Sequence, residues 1–254
     1  MSAYRMRITQ RSTQHEHMGF RVVMRLKDVE GIPPAQDPDE ERRGKKRDPG
    51  ENSEEVFTAL KSGATSKPYP KELTVDLGES VKMEFVLIPA GSFLMGSNKG
   101  PRDERPIHRV VISRPFYMAK YELTQSQWEA VMGLDKRLVQ LRREENGMTG
   151  PMKAMNELSW NDCRRFVSKL KQNVCGYAFA LPTEAQWEYA CRAGSAAEFY
   201  FGDDESQLGE YAWYEGNMVW PGKPAYRGVT FYHDVGVKKP NAFGLHDMHG
   251  GVWE

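Results

Sequence analysis

Few residues in this chain are able to do chemistry. Cys163, Cys175 and Cys191 are its three cysteines, and a thiolate can act as a nucleophile or as a soft metal ligand. An odd count without a short paired spacing does not form a disulfide framework. A free cysteine packs by default as a small hydrophobe, and burial is the expectation for each of the three. Cys175, in a turn before Gly176, is the one place for a reactive surface thiol, a reading that needs exposure and a lowered pKa. His246 and His249 form an H-x-x-H around Asp247, and His233 adjoins Asp234. Zinc takes four tetrahedral ligands, and two histidines with loose carboxylates do not define such a set. Packing within loops is therefore expected of His246 and His249, and solvation of His15-Glu16-His17.

The formal net charge is zero, so no global field draws the chain to nucleic acid or to an anionic membrane. No apolar run approaches the length of a membrane span. Arg5, Arg7 and Arg11 interrupt the N-terminal stretch, so no export signal is expected of it. Residues 27–70 are dominated by charge and proline, with Val56, Phe57 and Leu60 as the apolar cluster, and read as a flexible linker. Its RRGKKR run (42–47) is compensated by the adjacent DPDEE (37–41) and reads as solvated rather than as a nucleic-acid patch.

From residue 71 the pattern becomes that of a folded domain. MEFVLIPAGSFLMGS (83–97) reads as a strand, a turn and a second strand, and extended pattern continues through 108–124. Three helix starts then share one form: Thr124 to Gln127, Ser159 to Asp162 and Thr183 to Gln186. Each predicts a capping box, in which a Ser or Thr oxygen accepts a backbone N–H while the third residue on reaches back. Gly133 and Gly194 are the expected stops. Short helices among long Gly-, Trp-, Tyr- and Asn-rich segments predict an α+β fold and exclude a doubly wound sheet.

Six motifs run in series: GSFLMGS (91–97), Glu104-x-Pro106-x-His108, FYMAKYELTQSQW (116–128), ELSWNDCRRF (157–166), LPTEAQWEYACRAG (181–194) and PNAFGLHDMHGGVWE (240–254). Together they resemble the formylglycine-generating enzyme, or sulfatase-modifying factor, family over residues 83–254. The resemblance implies a C-type lectin-like fold with short helices, small antiparallel sheets and long loops. Read as plain core packing, the aromatic-rich motifs make Trp128, Trp160 and Trp187 expected buried anchors of the fold. Members of the family oxidise a cysteine of a sulfatase with copper held by two thiolates, a soft pair suited to Cu(I). None of Cys163, Cys175 and Cys191 matches that pair, so no catalytic residue is carried over and copper has no ligands of the family type here.

The resemblance further implies calcium on loop oxygens, at Asn217 and at a second place formed by Glu254 and the carbonyl of Val252. Gly251 stands where the family motif has an asparagine, which removes an oxygen from the second place. The reading that Asn217 only caps a turn stays open beside the first. Residues 1–26 resemble the closing segment of such a domain, ending in Gly19-Phe20-Arg21, while the body (71–254) stops inside a motif. The expectation is the tail of one repeat, a linker and most of the next. Alternation of Phe20 and Val22 with Arg21 and Val23 predicts one buried face for residues 18–23, docked beside the strand around Phe85 to Ile88. Two functions follow: a domain whose parent is a metal-dependent oxidase of a protein or peptide thiol, or a non-catalytic binding module. The second would present Trp213, Tyr214, Trp220, Tyr226 and Tyr232 as a contact surface.

Overall fold

The computed structural model describes residues 19–25, 69–143, 149–214, 217 and 233–254. Outside them lie residues 27–68 of the expected linker with its RRGKKR run, His15-Glu16-His17, Met18, Trp220, Tyr226 and Tyr232. Among the described residues, no helix is long and apolar enough to cross a membrane.

Among the described residues, seven strands form two sheets: β1 (Val23–Arg25), β2 (Glu72–Gly78), β3 (Val81–Ile88), β4 (Gly91–Met95), β5 (His108–Ile112), β6 (Phe116–Ala119) and β7 (Ala178–Ala180). The larger sheet has the order β2-β3-β6-β1-β7, and all its pairings are antiparallel. β4 and β5 form a separate two-stranded sheet. The first two expected strands, β3 and β4, thus part company at the Pro89-Ala90 turn and enter different sheets.

Successive side chains of a strand point to opposite faces, and here both faces are covered. Met83, Phe85, Tyr117, Ala119, Phe20, Val22 and Met24 enter one core with Trp128, Phe166 and Leu170. Val86, Ile88, Phe116, Met118 and Val23 enter a second core with Trp187, Ala190, Leu245 and Met248. The first core is closed by α1 (Gln125–Met132) and α3 (Trp160–Asn173), the second by α4 (Glu184–Arg192). Two further helices, α2 (Lys136–Arg143) and α5 (Leu208–Tyr211), carry no expected start signal.

All three expected capping boxes form, at Thr124, Ser159 and Thr183, each with both reciprocal hydrogen bonds. The expected stops also stand: Gly133 caps α1 at φ 86°, and Gly194, at φ 91°, follows the cap residue Ala193 of α4.

Two expectations are corrected. Residues 19–25 do not pair beside Phe85 to Ile88, because β6 occupies that edge of β3. β1 lies between β6 and β7, with Val23 opposite both Met118 and Ala180. Nor is one face of the segment exposed, since Gly19 through Met24 are all buried. Trp160 is the second correction: it is half exposed at the first turn of α3 and packs under the Arg164 guanidinium, 4.7 Å from its ring centre. Trp128 and Trp187 are buried as expected.

Candidate functional site

Strand alternation sends Arg21 to the same side as Val23, towards the second core, where a run of apolar neighbours would leave a guanidinium stranded. It is instead surrounded by acceptors. Its Nε donates to Glu254 Oε2 at 3.0 Å, one terminal nitrogen donates to the Lys120 carbonyl at 3.0 Å, and the other to the His246 carbonyl. Trp187 Nε1 donates to the same Glu254 oxygen at 2.8 Å. Burial alone would lower the Arg21 pKa, but Glu254, Glu122 and Asp247 outweigh it, so the guanidinium stays cationic. Burial pushes the Glu254 carboxyl up to about 7, against the pull of Arg21.

Beside this pair lies a second buried group of charges. Glu122 follows β6 in the apolar run Tyr121-Glu122-Leu123 and is fully buried. Its Oε1 accepts the Val252 N–H at 2.8 Å, and its Oε2 lies 2.7 Å from His233 Nε2. Asp247 Oδ2 accepts the Gly236 N–H at 2.7 Å. Burial, then the nearby Glu122 charge, holds the Asp247 carboxyl above its ordinary range. Glu122, His233 and Asp247 each bring one ligand-type atom to within 4.8 Å of the others. Gly251, at φ 75°, allows this closeness: a Cβ there would stand 2.3 Å from Glu122 Oε1.

The residues singled out in the sequence fall as follows. Asn217 spends its amide on a turn, accepting the Tyr214 N–H at 2.9 Å and donating to the Ala212 carbonyl at 2.8 Å. Glu254 is engaged by Arg21 and Trp187, and the Val252 N–H by Glu122. The Arg21 guanidinium lies 2.9 Å from the Glu254 carboxylate, whose Oε1 is buried and accepts no hydrogen bond among the described residues. His249 stacks on Tyr200 and accepts its backbone N–H at 3.2 Å, and His246 Nδ1 meets the Lys238 carbonyl at 2.8 Å, so both pack within loops. Trp213 lies under Lys238, whose Nζ is 4.1 Å from the ring centre, and Tyr214 is exposed.

Cys163 and Cys191 are buried in different cores, and burial pushes the Cys163 thiol up to about 12 and the Cys191 thiol higher still. Cys175 is exposed, which corrects the expectation of burial. Soft copper coordination needs two thiolates that converge, and these three residues do not fit it.

An open groove of about 740 Å³ lies along β4. Phe93, Tyr189 and Phe243 make its aromatic floor, with ring centres 5.4 and 5.8 Å apart. Lys99 and Glu198 face each other at its rim, 3.4 Å apart. Helix α4 sets the groove's shape: Glu188 accepts the Gly96 N–H at 3.1 Å while Arg192 donates to the Gly96 carbonyl at 3.2 Å. Glu188 and Arg192 are themselves paired one helical turn apart. At the start of β4, Gly91 leaves room for Tyr189, whose hydroxyl would stand 2.4 Å from a Cβ.

Sequence reasoning missed Arg21, Glu122 and the Glu188–Arg192 clamp. A carboxylate inside the apolar run at 121–123 was the available signal for Glu122, since a charge there must be paired.

Residues 74–254 match the family model of the sulfatase-modifying factor enzyme 1-like domain. The chain is 28% identical over 221 residues to the formylglycine-generating enzyme of Mycobacterium tuberculosis, covering 67% of this chain and 72% of that one. It is 26% identical over 216 residues to the chaperone protein LppX of Paenibacillus barcinonensis, covering 69% and 71%. The solved structure of Treponema denticola variable protein 1 superposes with a TM-score of 0.53 at 23% identity, covering 70% of this chain and 73% of that one, and shares its fold. The mixture of short helices, a curled antiparallel sheet and long loops is the C-type lectin-like α+β fold. With the six motifs in series and the family match across the body, the chain belongs to the formylglycine-generating enzyme, or sulfatase-modifying factor, family.

Proposed function

We propose that these 254 residues act as a polypeptide-binding module of the family, and that their own thiols carry out no cysteine oxidation. The groove along β4 is the observation that carries this reading. Its aromatic floor offers apolar contact area, its Lys99–Glu198 rim offers both signs of charge, and the Glu188–Arg192 clamp holds its wall without help from a ligand. A pre-shaped groove of this kind binds with little ordering cost. An extended peptide running beside β4, which pairs with β5 alone among the described strands, is the substrate class that suits it.

The thiol chemistry is argued from protonation. A nucleophile or copper ligand must be a thiolate, and Cys163 and Cys191 are held in the protonated form by burial. The test has two arms on the purified chain. A fluorescein-labelled, cysteine-containing sulfatase-type peptide should bind saturably by anisotropy, and Phe93→Ala should weaken it. The same peptide incubated with copper and oxygen should give no aldehyde by mass spectrometry. Absence of saturable binding overturns the binding reading, and aldehyde above a protein-free control overturns the statement about the thiols.

A further inference from the structure

We propose that the outer face of α3 is a docking surface for an acidic polypeptide segment, with Arg164 on Trp160 as its anchor. Cys163, Phe166, Val167 and Leu170 turn one stripe of this helix into the first core. The opposite stripe, with Asn161, Arg164, Arg165, Ser168 and Lys169, is exposed. On that side Ser159, Asn161, Asp162, Arg164, Arg165 and Ser168 line an open hollow of about 610 Å³, which shares no residue with the groove along β4.

Charge points to an anionic partner. The helix carries four cations, Arg164, Arg165, Lys169 and Lys171, against one carboxylate, Asp162. Asp162 is already engaged: its Oδ2 accepts the Ser159 N–H at 2.9 Å, and its Oδ1 meets Arg165. Lys169 donates to the Met132 carbonyl at 3.2 Å. Arg164 has no hydrogen bond or ion pair among the described residues and lies over the Trp160 ring, 4.7 Å from its centre. The chain as a whole is neutral, so the excess of positive charge is a property of this face.

The kind of anion follows from the donors. A guanidinium supported by a ring keeps its N–H fork for a second partner, and that fork matches a carboxylate in bidentate geometry. Trp160, half exposed, adds apolar area beside the fork, so an acidic residue next to an apolar one makes the best fit. Two arginines in one hollow match two carboxylates rather than the run of phosphates along a nucleic acid. A membrane surface would need several apolar side chains on the same stripe, and among the exposed residues of α3 the large apolar side chain is Trp160 alone.

The test titrates the full chain into a rhodamine-labelled peptide of repeated Glu-Glu-Leu units at low ionic strength and reads anisotropy. Saturable binding is expected, and it should weaken as salt rises, because exposed charges are screened beyond about 10 Å at about 0.1 M. Arg164→Gln should weaken it by about tenfold, since hydrogen bonds to a charged group are lost. Arg164→Lys, which keeps the charge without the fork, should recover only part of that loss. Trp160→Ala should weaken binding by about two- to fivefold through the lost ring support. Both positions are exposed, so these variants should melt as the wild type does. Arg109→Gln, which removes an exposed cation from the separate β4–β5 sheet, should change nothing, and a Gln-Gln-Leu peptide should not bind. No saturable binding, equal binding of the Gln-Gln-Leu peptide, undiminished affinity in Arg164→Gln or Trp160→Ala, or full affinity in Arg164→Lys would each overturn the assignment. So would an equal loss in Arg109→Gln, or tighter binding of an oligodeoxythymidine than of the acidic peptide.

Discussion

Two buried arginine–carboxylate pairs differ in what they connect. Glu188 and Arg192 sit one turn apart on α4, and their partner outside the helix is the backbone of Gly96. Arg21 and Glu254 are 233 residues apart in sequence and meet only because β1 is inserted between β6 and β7. The first pair shapes a surface groove. The second holds an inserted strand against the loop that follows Leu245, inside a core where neither charge reaches water. A local pair forms whenever its helix forms. A distant pair forms only when the whole sheet has its native order, so it discriminates the native topology from others. Desolvation offsets most of the attraction within a buried ion pair, so its presence is a weak source of net stability, whereas losing one partner is costly.

The largest expected effect comes from breaking the distant pair. Arg21→Met should lower unfolding stability by about 3–5 kcal/mol, since it leaves Glu254 buried without its cation. Urea denaturation measures this, and adding Glu254→Gln to the same chain should recover part of the loss. A single-variant loss below about 1 kcal/mol would mean that the two pairs are equivalent, and the comparison would collapse.

Breaking the local pair should cost less. Glu188→Ala removes the acceptor of the Gly96 N–H and two bonds from Arg192, an expected loss of about 1–3 kcal/mol. Its distinguishing readout is peptide affinity at the groove, which should fall together with stability. Arg21→Met, compared at a temperature where it remains folded, should leave that affinity alone. If both variants weaken peptide binding equally, the groove is not shaped by α4.

Helix caps are smaller and wholly local. Thr183→Ala should cost about 1 kcal/mol by thermal unfolding, because it deletes the acceptor of the Gln186 N–H at the start of the helix that carries the clamp. Thr124→Ala on α1 should cost a similar amount with no change at the groove.

The smallest effect concerns a third, half-exposed pair. Burial pushes the Asp135 carboxyl up, but hydrogen bonds from Arg137 and Trp128 outweigh it and hold the group below the ordinary carboxylate range. A depressed folded pKa contributes stability above the unfolded value, and this is lost as pH falls through the folded one. Asp135→Asn should therefore flatten the acid limb of the stability curve below about pH 4, by less than about 1 kcal/mol after solvent screening. An unchanged acid limb would show that the pair contributes nothing measurable.

Much of the fold could be read without the structure wherever the interaction is local. A capping box joins residues three apart, so Thr124, Ser159 and Thr183 announced their helices. The apolar run before the Pro89-Ala90 turn announced β3 as a strand. Trp160 shows the limit: its motif places it at a helix start, but whether that first turn faces the core depends on how α3 docks, and α3 leaves it outside. Cys175 is the same case in a turn.

What the sequence by itself determined was therefore the caps, the extended apolar runs of the strands and the run of motifs that names the family. The tertiary structure alone decided the place of β1, the burial of Arg21 and the assembly of Glu122 with His233 across 111 residues. Alternation predicted one buried face for residues 18–23, and it carries no information on whether a second layer covers the outer face. That layer comes from α4 and the loop after Leu245, distant in the chain, and their packing is a property of the closed sheet rather than of any window of sequence.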